Sequence, residues 1–205
     1  MMDVDTIKGD RKHQIIAEAT RLFSLEGYDR VSTRQLADAC QISEAGLYKH
    51  FNSKAEIYDA VLDSLPARLQ CDALFEQLSD VDDLEQILMM TAEFLIRFLT
   101  DNVDLYRLLL FSALSGHEKA KNISSEIRGR FINFITEHLK RLRQQAQVVD
   151  TDPKITARCF IGMIMDCAMG INLLESGVGE RIEPSHAIAN NIPIYVRGLI
   201  NKNEK

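Results

Sequence analysis

Between Ser43 and Lys54 the chain reads SEAGLYKHFNSK, which sets two hydroxyls, a carboxylate, a phenol, an imidazole and two ammonium groups within twelve residues. All but the carboxylate, which accepts, can donate hydrogen bonds to phosphate oxygens and base edges, whereas covalent catalysis needs a nucleophile beside a base. No H-E-x-x-H, G-x-S-x-G or Gly-rich phosphate loop occurs, and His13, His50, His117, His138 and His186 lack the spacing of metal ligands. Cys40, Cys71, Cys159 and Cys167 form no C-x-x-C pair and read as small apolar core residues. The sequence therefore points to a binding protein with no metal and no cofactor rather than to an enzyme.

Charge narrows the class of partner. A formal charge of −6 argues against a protein that coats nucleic acid or lies on an anionic membrane. Yet from Lys8 to Lys54 eight basic residues face six acidic ones, so this segment is mildly basic and the acidity lies elsewhere. The N-terminus has no apolar signal run, and the most apolar stretch, CFIGMIMDCAMGINLL (159–174), is short and holds Asp166 and Asn172. These features place the protein in the cytoplasm, with no membrane partner. Few Gly and Pro leave helices as the main element.

The elements that position the opening stretch are short and abruptly joined. Ile15, Ile16, Ala19, Leu22 and Phe23 recur at helical spacing over 10–26, and Gly27 closes that helix. Ser32 with Gln35 reads as a capping box for a helix of about two turns, with Leu36 and Ala39 facing inward. Ser43 caps the next helix, and Ser53-Lys54-Ala55-Glu56 is an S-x-x-E box opening a fourth over 53–70, with a kink expected at Pro66. Long amphipathic helices follow over 82–100, 103–114, 117–147, 152–175 and 184–202, about nine helices in all, with 175–181 as the most loop-like stretch. The fold class is all-α: a three-helix helix-turn-helix domain over 1–52, then a larger helical bundle over 53–205, with helix 53–70 connecting the two.

Two short helices braced by a third form the arrangement whose second helix enters the DNA major groove, although a small helical hairpin packed on a bundle carries similar caps. Side chains favour DNA. Ser43 and Ser53-Lys54 lie at helix N-termini suited to phosphate, and Tyr48, Lys49 and His50 close the candidate reading helix. Leu47 and Phe51 read as core. Gly46 costs about 1 kcal/mol inside a helix relative to Ala, so a close approach is expected there.

The stretch 15–62 resembles the N-terminal domain of the tetracycline-repressor (TetR) family, through "A..LF...G", "ST...LA.." and "S..GLY.HF.SK.E" in one order and fixed spacing. The resemblance implies that Ser32, Thr33 and Arg34 open the helix that crosses the DNA backbone. It also implies that Ser43, Glu44, Ala45, Gly46, Tyr48, Lys49 and His50 lie on the reading helix, and that Lys54 meets a phosphate. Glu44 departs from the basic or small residue common there, and either accepts from a cytosine amino group or avoids the DNA. Ala45-Gly46 reverses the commoner order of glycine followed by a small residue.

The resemblance further implies a homodimer on a near-palindromic double-stranded operator, acting as a repressor released by a small, largely apolar effector. The helices over 152–175 and 184–202 would meet their symmetry mates through Ile161, Met165, Met169, Ile188, Ile192, Tyr195 and Leu199. Phe94, Phe98, Phe111, Phe131, Phe134 and Met163 are the candidate apolar walls of a ligand pocket, with His138, Asp166 and Asn172 as candidate polar anchors; ordinary core packing is the alternative for each ring. The competing reading is a helical small-molecule carrier, which leaves the capped helices and Tyr48-Lys49-His50 without a purpose.

Overall fold

The computed structural model describes residues 4–174 and 183–201; the loop expected over 175–181 lies outside the described residues. Among them run ten α-helices: α1 (Val4–Glu26), α2 (Thr33–Ala39), α3 (Glu44–Leu47), α4 (Lys54–Arg68), α5 (Asp72–Leu78), α6 (Leu84–Asp101), α7 (Val103–Leu114), α8 (Glu118–Gln144), α9 (Pro153–Met169) and α10 (Pro184–Leu199). The helical class is as expected. Only α5 has no counterpart among the expected helices, and α9 gives way to one π-helical turn, Gly170–Leu174. Compactness divides the chain differently from the boundary expected at residue 52: one unit holds the chain up to Arg68 with Asp104–Ser124, the other Leu69–Val103 with the chain from Ser125 onward.

In the first unit α1 packs on α2 and α4, and α2 on α3. Phe23, Leu36, Leu47, Ile57, Leu62 and Leu65 are almost wholly buried there. Each such side chain stabilises by about 1.5–3 kcal/mol relative to exposure. α7 joins this unit through a buried polar pair: Ser112 donates to the carbonyl of Leu108 at 2.6 Å and accepts from the Tyr58 hydroxyl on α4. Tyr58 also packs edge-on to Phe23 and to His117. Lys119 adds ion pairs with Asp63 at 2.7 Å and Asp59 at 3.7 Å. Pro66 sits inside α4, which ends two residues later.

In the second unit α6 packs on α9 and α10, with Ile87, Leu88, Thr91, Leu95 and Phe98 covered along one face. Asp152 caps α9 by accepting from the backbone N–H groups of Lys154 and Ile155, and Pro153 takes the first helical position. The end of α10 is tied to the loop before α9, Val149 donating to the Leu199 carbonyl at 2.8 Å. No helix among the described residues is long and apolar enough to cross a membrane. No cluster of His, Cys, Asp or Glu among them could hold a metal ion.

Candidate nucleic-acid interface

The cap chemistry of the helix-turn-helix is built as its sequence suggests. Ser32 accepts from the Gln35 backbone N–H at 3.2 Å, and the Gln35 amide oxygen accepts from Ser32 N–H at 2.8 Å, the reciprocal capping box that starts α2. α2 stops at Cys40 because Gln41 adopts a left-handed conformation at φ 55°, with Ile42 N–H returning to the Ala37 carbonyl and Gln41 N–H to that of Asp38. This is a Schellman turn built on glutamine where glycine is usual.

α3 is a single turn, much shorter than the expected reading helix. Ser43 caps it, its hydroxyl accepting from Gly46 N–H at 3.0 Å. Beyond Leu47 the backbone tightens, Lys49 N–H bonding Gly46 and His50 N–H bonding Leu47 three residues back. Leu47 and Phe51 are buried, which anchors this segment and turns its polar edge outward. Tyr48 is 49% exposed, and Ser43, Glu44, Ala45 and Lys49 are exposed beside it, with His50 half-buried. On α2, Arg34 is exposed and Thr33 half-buried. A Cβ at Gly46 would meet only Ile42 and Ser43 at 3.4 Å, ordinary contacts within its own turn, so the fold itself does not demand glycine there.

Two side chains are committed to the protein. Glu44 accepts a hydrogen bond from the Thr33 hydroxyl at 2.8 Å, which ties the start of α2 to the start of α3. Lys54 gives two of its three N–H groups to the carbonyls of Tyr28 and Val31, both at 3.0 Å, and its ammonium lies 4.2 Å from the Tyr28 ring centre. Lys54 thus fastens the α1–α2 loop, with one N–H left for another acceptor. The box before α4 also differs in detail: Ser53 accepts from Glu56 N–H, but the Glu56 carboxylate reaches past Ser53 to Asn52.

Of the residues expected to line a pocket, Phe94, Phe98, Phe131, Phe134 and His138 come together in one ring cluster, while Phe111, Met163 and Asp166 lie apart from it. Phe94, Phe98, Phe131 and Phe134 lie in the second unit and pack ring against ring, with Phe75 of α5 stacked on Phe134 at 4.3 Å. Phe111 belongs to the first unit and is 62% exposed. His138 is buried with Nε2 2.8 Å from the Leu78 carbonyl and Nδ1 3.1 Å from that of Phe134, so it holds the end of α5 rather than a ligand. Asp166 faces solvent, Met163 is half-buried, and Asn172 donates to Thr100 and to the Ala168 carbonyl. The large cavity of the first unit, 870 Å³, was not foreseen; its walls come from the ends of α1, α4 and α7.

The expected interface residues are also redistributed. Ile161 and Ile192 are fully covered by their own chain and Ile188 and Leu199 nearly so, because α9 and α10 turn that face onto α6. Met165, Met169 and Tyr195 are half-buried. Ile155, Cys159 and Ile194 are exposed on the same two helices, so Cys159 is not a core thiol, unlike Cys40 and Cys71.

Residues 15–61 match the model of "Bacterial regulatory proteins, tetR family". The chain is 31% identical over 150 residues to the nucleoid occlusion factor SlmA of Escherichia coli O1:K1 / APEC, covering 70% of each chain. It is 27% identical over 146 residues to SlmA of Vibrio vulnificus strain YJ016, which is 70% of this chain but 65% of that relative, so it spans less than two thirds of that protein's length. Its fold is shared with AibR, solved in complex with isovaleryl coenzyme A and operator DNA, at a TM-score of 0.68 and 21% identity over 90% of this chain and 97% of that one. With the capped helices and the outward edge of α3 in place, the chain belongs to the TetR family of bacterial regulatory proteins.

Proposed function

We propose that the protein is a homodimeric repressor that lays the outer edge of α3 against the major groove of a near-palindromic operator and lets go when a small molecule binds. The observation that carries this reading is the division of one turn into two faces: Leu47 and Phe51 inward, Tyr48 and Lys49 outward. Ser32, Thr33 and Arg34 stand at the head of α2, suited to the phosphate backbone, while Ser43, Ala45, Gly46, Tyr48, Lys49 and His50 offer donors and a bare backbone to the groove. Glu44, held by Thr33, acts in this scheme through orientation of α3. AibR, which shares the fold, was seen with operator DNA, and that supports the partner class.

One turn of helix buries too little surface for tight specific binding, so two copies are needed, about 34 Å apart on successive groove faces. The outward apolar residues of α9 and α10, Ile155, Cys159 and Ile194, support those helices as the pairing face, and Gly162 and Gly198, where an added Cβ would meet nothing, would admit a partner helix closely. The test is fluorescence anisotropy with DNA from upstream of the protein's own gene, titrated with salt. Binding that weakens linearly with log salt, and weakens uniformly with a slope lower by about one in Arg34→Ala, is the expected result. Absence of any specific fragment in that region would refute it.

A further inference from the structure

We propose that the cavity of the first unit is a binding site for an amphiphilic organic cation, a quaternary ammonium or phosphonium carrying apolar arms. At 870 Å³ it falls within the span of small-molecule sites, about 300–1,000 Å³. Its floor is a chain of rings: Tyr28 and Tyr58 lie 4.6 Å apart, and Phe23 and His117 each pack 5.3 Å from Tyr58. Its mouth is apolar, formed by Phe111 at 62% exposure and Leu25 at 63%, two large side chains that water would otherwise surround.

The charges around those rings select the sign of the occupant. Glu26, Asp29 and Asp59 line the cavity against Arg30 and Arg107, and Arg107 is already bonded to Asp104 at 3.1 Å. Lys119 sits nearer Asp63 than Asp59, which leaves Asp59 only partly neutralised. Asp29 and Asp59 both act on the buried Tyr58 hydroxyl in the direction that favours its neutral form, behind the larger effect of burial. Ring faces attract cations, and the protein already places its own Lys54 ammonium 4.2 Å from the Tyr28 ring centre. A neutral apolar guest would cover these carboxylates without compensating them. An anionic guest would meet them directly.

The position gives the site a consequence that rests on the regulator reading, whereas binding itself does not. Gly27 to Arg30, in the cavity wall, lead directly to the Ser32 cap of α2, so an occupant that prefers one setting of this loop shifts the reading head in proportion to that preference.

Tetraphenylphosphonium and tetraphenylborate, nearly equal in shape and opposite in charge, test this by calorimetry on the full chain. The phosphonium should bind at least tenfold tighter than the borate, and Phe111→Ala and the double variant Asp29→Asn with Asp59→Asn should each weaken it about fivefold while leaving the melting temperature in place. Equal affinity for the two ions, or phosphonium affinity unchanged in both variants, overturns the site. Operator binding is read separately on the same samples: operator affinity retained with no phosphonium preference removes the site and leaves the regulator standing, and a phosphonium preference without operator binding does the reverse.

Discussion

Lys54 shows what a residue type at a motif position conceals. Its likeness to a phosphate-binding lysine is legible in the SK.E spacing, but its two carbonyl partners lie 23 and 26 residues upstream, where no local pattern reaches. Lys54→Ala is therefore expected to lower the melting temperature by several degrees as well as weakening DNA binding, through loss of two charge-assisted bonds worth roughly 1.5–3 kcal/mol each. Lys49→Ala, at an exposed position, should leave the melting temperature unmoved. Paired calorimetric melts check both, and equal behaviour of the two variants would contradict the division of labour. Gln41 gives the opposite kind of case. Its left-handed φ of 55° costs an L side chain about 1 kcal/mol or more, so Gln41→Gly should stabilise the protein by about that amount in urea titrations. His138 was unreadable for the same reason as Lys54: its main partner, the Leu78 carbonyl, is 60 residues away.

Helices were legible where side chains announced them. Ser32, Ser43, Asp83 and Asp152 all cap their helices by accepting backbone N–H groups, and each start was readable or nearly so. α5 escaped because it has seven residues and its N-cap position, Cys71, supplies no side-chain cap; Leu74 and Leu78 at i, i+4 were a weak signal. The apolar run of α9 was readable, but which of its faces meets α6 was not, since periodicity cannot rank two apolar faces. The proposed pairing face predicts that Ile194→Asp converts the proposed dimer to a monomer in sedimentation without unfolding it, while Ile192→Asp, at a fully covered site, unfolds the chain. The joint between α4 and α7 carries a pH signature. Burial, the largest cause, holds the Tyr58 hydroxyl above its ordinary value of 10.0. The folded state thus keeps a proton that the unfolded chain releases first, so this contribution is intact below about pH 10 and is lost as pH rises through the alkaline range. Urea midpoints should fall more steeply above that pH in the wild type than in Tyr58→Phe; parallel curves would contradict the assignment.

At the scale of the whole molecule, the proposed regulation reduces to linkage between small-molecule binding and the spacing of two reading heads. Whatever factor an effector takes from operator affinity, the operator takes from effector affinity, so the two titrations must agree. The candidate DNA-reading end was legible because its chemistry is compressed into a contiguous stretch with fixed caps. The cavity was not, since its walls join residues near 25, 58 and 111, which only the tertiary fold assembles. The most direct measurement is a hydroxyl-radical footprint of the wild type and of Tyr48→Ala with Lys49→Ala on DNA upstream of the gene. Two protected patches, symmetric and about one helical turn or a multiple of it apart, lost together in the double variant, are the predicted result. Protection that survives unchanged in that variant would mean that another surface reads the DNA and that the outward edge of α3 is not the interface.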